Sequence, residues 1–224
     1  MKLRRGTWVI APLLLVLGIG SARAGDKETG RTMTFSKDSL DKVPTGWKAD
    51  HTGKDGASAW KVVADATAPS KKGHVLSQTG ESPGPVFNLC VADDTSYGDV
   101  EASVMFKANM GKKDQGGGIV WRYVDADNYY IARFNPLEDN YRLYKVVAGK
   151  RIQLATKEDI KAPAGEWHKL TIKMTGDQIE CYIGGKKSLD AKDDTIQKAG
   201  KVGLWTKADA QTSFDQFIIT ELKK

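Results

Sequence analysis

Gly116-Gly117-Gly118-Ile119-Val120-Trp121-Arg122-Tyr123, followed by Asp125-Ala126-Asp127-Asn128-Tyr129-Tyr130-Ile131-Ala132-Arg133, reads as strand, polar turn, strand. The apolar and aromatic runs suit a pleated surface, and Asp-Ala-Asp-Asn between them is turn chemistry. The same grammar continues to the C-terminus. Strands are expected at 101–107, 119–124, 129–135, 140–147, 151–155, 167–174, 178–183, 201–206 and 213–222. Ala148-Gly149-Lys150 and Thr175-Gly176-Asp177 turn two of the hairpins. Turn signals at roughly 8–12-residue intervals indicate an all-β sandwich or barrel. Helical periodicity is weak; Lys157 to Ile160 is the one stretch that could form a helical turn.

Side chains alternate along a strand, so i and i+2 share a face. Arg122, Arg133 and Arg142 then come from three neighbouring strands, and could line one surface with Tyr144 and Trp205. Arginine forks give directional hydrogen bonds, and aromatic faces cover the apolar side of a pyranose. This constellation is the candidate ligand-binding surface, with a carbohydrate or glycan as partner. For each residue taken singly, the plainer reading is a solvent-facing or salt-bridged arginine, or a core aromatic.

The chain has 224 residues and a formal charge of +6. Met1 to Ala24 carries a basic start (Lys2, Arg4, Arg5), an apolar stretch from Thr7 to Gly20, and Ala22-Arg23-Ala24 as a small-x-small cleavage pattern. That is the form of a secretory signal. Its apolar run of about 13 residues is short of the ~20 of a spanning helix. Residues 25–32 are expected to be a flexible leader, and 33–224 a single domain. The destination is periplasmic or extracellular. Removing residues 1–24 takes four of the 34 basic residues and none of the 28 acidic ones, which leaves 30 against 28. A net charge near +2 gives no footing for nucleic-acid binding, and no membrane span is expected in the mature chain.

Cys90 and Cys181 are far apart in sequence; an oxidising destination permits a disulfide, while the alternation Ile179-Cys181-Ile183 suits a buried thiol. The histidines His51, His74 and His168 are scattered, and no H-x-x-x-H or C-x-x-C pattern suggests zinc. Asp125 and Asp127 are weak candidates for a metal ion, Ca2+ by their oxygen donors, although turn chemistry alone explains both.

Gly118-Ile119-Val120-Trp121-Arg122-Tyr123, Asp127-Asn128-Tyr129-Tyr130, and Gly165-Glu166-Trp167-His168-Lys169-Leu170 with Tyr182-Ile183-Gly184-Gly185-Lys186 resemble the concanavalin A-like lectin/glucanase superfamily. Gly200 to Trp205 and Phe214 to Phe217 resemble its closing strands, so the likeness runs from about Met33 to Leu222. Within the superfamily the chain is closest to laminin-G-like and 3-keto-disaccharide hydrolase domains. The resemblance implies a jelly-roll β-sandwich of two antiparallel sheets, with ligands on the concave face or loop rim. It does not decide between binding and catalysis. The E-x-D-x-x-E strand of laminarinases, which would present nucleophile and acid on one face, is absent. A keto-sugar enzyme would instead need a base and often a cation; Glu138, Asp139 and Asp125 are the candidate catalytic carboxylates. The remaining class is a structural or adhesive domain that uses the sandwich for protein contacts.

Overall fold

The structure, a computed structural model, describes residues 30–56 and 58–223. The expected signal segment, 1–24, lies outside the described residues, as do the first five positions of the leader, 25–29. Fifteen strands are found among the described residues. They are β1 Arg31–Met33, β2 Trp47–Thr52, β3 Trp60–Ala64, β4 His74–Gln78, β5 Phe87–Tyr97, β6 Val100–Met110, β7 Gly117–Asp125, β8 Asn128–Asn135, β9 Asn140–Val147, β10 Lys150–Lys157, β11 His168–Thr175, β12 Gln178–Ile183, β13 Lys186–Lys192, β14 Gly200–Lys207 and β15 Gln211–Glu221. Arg31 and Thr32, expected in the leader, pair with Ile219 and Ile218 of β15. Residues 158–160 are not helical; β10 runs to Lys157 and a loop follows, and the helical piece found is the 3-10 turn Lys37–Ser39.

Two antiparallel sheets stack as a jelly-roll sandwich. The eight-stranded sheet has the order β13-β12-β11-β6-β15-β4-β3, with β1 also on β15; the seven-stranded sheet has the order β10-β9-β8-β7-β14-β5-β2. Between them lies the main core, where Trp121, Tyr130, Phe106, Phe134, Phe214 and Phe217 are fully buried. Trp121 stacks on Tyr130 with centroids 5.6 Å apart. Cys90 and Cys181 are buried there as free thiols, and burial pushes both above the ordinary thiol range.

The seven-stranded sheet has a second buried cluster on its other face, made of Phe87, Leu89, Val120, Tyr129, Ile131 and Trp205 among others. Its own curl accounts for part of this burial. β10 and β5 are separated by four strands, so their backbones would lie about 24 Å apart in a flat sheet. Yet the Arg151 guanidinium of β10 sits 5.0 Å from the Phe87 ring centre of β5. At the same place Thr52 of β2 donates to the Ala126 carbonyl and lies 2.8 Å from the Tyr129 hydroxyl. Opposite corners of the sheet therefore meet over its outer face.

Bulges and glycines permit the curl. Arg122 adopts φ +44° where the β7–β8 register shifts, so Trp121 enters the main core while Tyr123 joins the outer cluster. A bulge of this kind bends the strand and re-aims the following side chain. A Cβ on Gly118 would stand 2.1 Å from the Ala132 carbonyl oxygen, with Arg133 Cα 2.8 Å away.

One end of the sandwich is closed by the β13–β14 loop. Tyr130 donates to Asp193 Oδ1 at 2.6 Å, and Lys145 Nζ reaches Asp193 Oδ2 at 2.7 Å. Burial works to raise the Asp193 pKa, but the hydrogen bonds from Lys145, Tyr130 and Thr195 outweigh it and hold the group at about 2.

Two predictions follow from this packing. Gly118→Ala should lower stability by about 1–3 kcal/mol, because the contact is to backbone that cannot step aside; urea melts would read it, and an unchanged midpoint would mean that the strands can separate at this point. A depressed carboxylate contributes stability above its unfolded pKa, and loses it as pH falls through the folded value. Asp193 should therefore contribute roughly 2 kcal/mol at pH 6 that fades from about pH 4 to about pH 2. Melts across that window should show Asp193→Asn flatter in pH than the native chain.

Candidate functional site

Alternation along β8 puts Tyr129, Ile131, Arg133 and Asn135 on the outer face of the seven-stranded sheet. β9 does the same with Asn140, Arg142, Tyr144 and Val146, in the register Ile131 to Tyr144, Arg133 to Arg142 and Asn135 to Asn140. Trp205 of β14 lies opposite Gly118, which lies opposite Arg133. Four of the five expected ligand residues, Arg133, Arg142, Tyr144 and Trp205, thus share one face. The face is more enclosed than the sequence suggests. Trp205 is 1%, Arg133 2% and Tyr144 4% exposed. Trp205 packs on Phe87 at 5.4 Å, and Arg151 lies 4.4 Å over the Tyr144 ring.

Toward the C-terminal end of β8 the face becomes polar. Arg133 donates through Nη1 to Asn140 Oδ1 at 2.8 Å and through Nη2 to Glu138 Oε2 at 3.0 Å. The same Glu138 oxygen accepts from Asn140 Nδ2 at 3.1 Å and lies 3.3 Å from Arg142 Nη1. Arg142 also reaches Thr156 and Glu158 on the rim, at 3.4 and 3.5 Å. Burial acts to raise the Glu138 pKa, but Arg133, Asn140 and Arg142 win and hold it below the usual carboxylate range.

A second carboxylate enters from the β6–β7 loop. Asp114 accepts from Asn135 Nδ2 at 3.2 Å and from Lys207 Nζ at 3.1 Å, and is 3% exposed. Burial raises its pKa despite the opposing charges of Arg133 and Lys207. Its loop is held by Asp209, which accepts the successive N–H groups of Lys112, Lys113 and Asp114 at 2.9–3.0 Å. Sequence reading passed over Asp114, whose available signal was a lone carboxylate between a lysine pair and a glycine run.

Arg122 does not join this face. Its bulge sends the guanidinium to the carbonyls of Gly98, Ile196 and Gly176 at 2.8–3.0 Å, where it ties three loops together beside a separate hollow of about 500 Å³. Of the candidate carboxylates, only Glu138 lies among the arginines. Asp139, at φ +50°, pairs with Lys161 outside. Asp125 is at the other end of β7, where its Oδ1 takes the Asp127 N–H and Asn128 Nδ2 at 2.8 Å, the geometry of a turn. Among the described residues, no group of three or more His, Cys, Asp or Glu is arranged to hold a metal ion. No helix among them is long and apolar enough to cross a membrane.

A model of the 3-keto-alpha-glucoside-1,2-lyase-like domain matches residues 38–220, and the chain belongs to that family. No curated protein sequence matches it. Among solved structures, it is similar to the carbohydrate binding module CBM66 from Bacillus subtilis, with TM-score 0.62 and 20% identity over 79% of this chain and 96% of that one. The exoplasmic/lumenal domain of VIP36, in its Ca2+/Man-bound form, aligns with TM-score 0.58 and 10% identity over 89% and 92%. A Bacillus subtilis protein with a galectin-like fold aligns with TM-score 0.55 and 9% identity over 85% and 98%. At these identities the likeness shows the fold, in agreement with the jelly-roll expectation.

Proposed function

We propose, with family membership as the premise, that this chain is an exported domain that engages carbohydrate on the concave face of its seven-stranded sheet. The observation that carries the reading is the knot of Arg133, Glu138, Asn140 and Arg142, built on paired strands beside Tyr144 and Trp205. Forked donors and a fixed carboxylate can address hydroxyls in both senses, as acceptors and as donors. Concave, aromatic-lined surfaces with a few convergent polar groups are where small ligands bind. The fold likeness to a carbohydrate binding module and to a Man-bound domain supports the same reading. Export rests on the pattern of Met1 to Ala24.

A second reading, catalysis on 3-keto-glycosides, is favoured by one observation. Glu138 and Asp114 flank Arg133, one with a lowered pKa and one with a raised pKa. A ketone at C3 of a sugar acidifies the C2 proton. An ionised carboxylate could take that proton while the C2–H electrons pass into the C2–C3 enolate. The enolate electrons then return to form the C1–C2 double bond as the C1–O bond breaks, and a protonated carboxyl could supply the proton to the departing alcohol. Ca2+ has no ligand set among the described residues, so the test carries a chelator arm.

Purified protein should retain a subset of an immobilised glycan panel. Arg142→Ala and Glu138→Gln, both at solvent-reached positions, should weaken retention at least tenfold with the far-UV spectrum intact. Full retention in both would overturn the site. Incubation with a 3-keto-disaccharide and its unoxidised parent, with and without EDTA, separates the readings. Release of free sugar from the keto form alone, lost in Asp114→Asn or Glu138→Gln, would establish the enzyme; no release leaves a binding module.

A further inference from the structure

Arg151 is the cation of the outer face of the seven-stranded sheet that has no carboxylate partner among the ion pairs of the described residues. Its guanidinium lies across the face, 4.4 Å from the Tyr144 ring centre and 5.0 Å from that of Phe87. The aromatic stack explains where the group sits. It does not satisfy its donors: Nη1 is buried with no hydrogen-bond partner. Arg133, the most buried arginine of the face, has the same defect at Nε, although both its terminal nitrogens are used. The two are close enough that the charge of Arg133, after burial, works to lower the pKa of Arg151, against Tyr144 and Asp114.

Charge counting points the same way. Arg133, Arg142, Arg151 and Lys207 share the outer face of the seven-stranded sheet. Against them stand Glu138, already accepting from Arg133 and Asn140 and paired with Arg142, and Asp114, which takes Lys207 and whose burial opposes ionisation. Glu158 sits on the rim with Arg142 and Thr156. Buried donors without acceptors are rare in folded proteins, and two on neighbouring arginines of one face ask for oxygen acceptors from a ligand. A neutral hydroxyl could serve one of them. A carboxylate supplies paired acceptor oxygens and the missing negative charge together.

We propose that the glycan held on this face carries a carboxylate, as an acidic sugar of the uronate class does, and that Arg151 with Arg133 receives that carboxylate. This rests on the face being the glycan site. The carboxylate accepts N–H bonds from Arg151 Nη1 and Arg133 Nε, and the sugar ring lies toward Glu138, Asn140 and Arg142, whose groups address its hydroxyls.

The test is calorimetric titration of the purified protein with short oligomers of galacturonate, glucuronate and mannuronate, each beside its carboxyl-reduced neutral counterpart. At least one acidic oligomer should bind tenfold or more tightly than its neutral partner, with the advantage shrinking as NaCl rises from 20 to about 500 mM, as screened charge requires. Arg151→Gln should collapse the acidic-to-neutral ratio toward one, whereas Arg151→Lys should keep part of it. Equal binding of acidic and neutral oligomers overturns the carboxylate assignment and leaves the glycan site standing. An acidic preference untouched by Arg151→Gln, in a variant with native melting temperature, overturns the role of Arg151. Binding of none of the uronates, with retention of neutral glycans on the panel, also overturns the acidic class. Retention of no glycan at all overturns the site itself.

Discussion

The meeting of opposite corners of the seven-stranded sheet organises the rest of the molecule. A sheet with one face on a core and the other in water would need one buried cluster; here both faces carry one. Arg151 over Phe87, and Thr52 against Ala126 and Tyr129, are contacts that a flat sheet forbids. The register shifts at β7, β10 and β14 supply the bend, since each extra residue raises the local twist. Gly118 and Gly203 supply the close approach: a Cβ on Gly203 would stand 2.6 Å from the Cys90 carbonyl oxygen. The curl fills one part of the face with aromatic rings and leaves its polar chemistry at the end of β8 and β9.

Enclosure sets the strength of that chemistry. The same Arg133–Glu138 pair on an open surface would be worth little, because water and salt screen it. Here the arginine is almost wholly buried while Glu138 keeps a side-chain exposure of 42%, so the pair is anchored from below and reachable from above. A ligand at this face would meet groups whose geometry is already fixed by Asn140 and by the β8–β9 register, which would reduce the ordering it must impose.

Much of this was legible in the residues, and the exceptions have physical causes. From β7 to β9 and at β14 the strands are buried on both faces, but the turns between consecutive strands are marked by Gly, Asp and Asn; β9 and β12 fall where the sequence places them. β5 escaped because Phe87 to Ala92 is buried on both faces, which erases the alternation, and Asp93-Asp94 then reads as a turn. β2, β3 and β13 are short or lie at sheet edges, with polar residues in their pattern. Arg133, Arg142 and Tyr144 share a face because period two holds along β8 and β9, and the β14–β7–β8 registers bring Trp205 to the same face. Arg122 was misplaced because a non-glycine residue at φ +44° breaks that period, and nothing in Trp-Arg-Tyr announces it. Asp114 was invisible for a different reason: its neighbours Asn135 and Lys207 are 21 and 93 residues away, and only the fold brings them together.

The contrast between Glu138 and Asp114 gives one face two chemical environments. Both carboxylates are near Arg133, so a shared cation alone would depress both. Glu138 receives hydrogen bonds from Arg133 and Asn140 and the charge of Arg142 as well, and these overcome its partial burial. Asp114 receives Asn135 and Lys207 but sits deeper, and there desolvation wins. Environment rather than residue type thus pushes the two groups apart. A binding site needs the ionised member to hold hydroxyl protons, and a lyase would use both. The face therefore holds two carboxylates near one arginine whose pKa values are pushed in opposite directions. Were a sugar held there, cleavage beyond binding would require an acidic C–H within reach of Glu138.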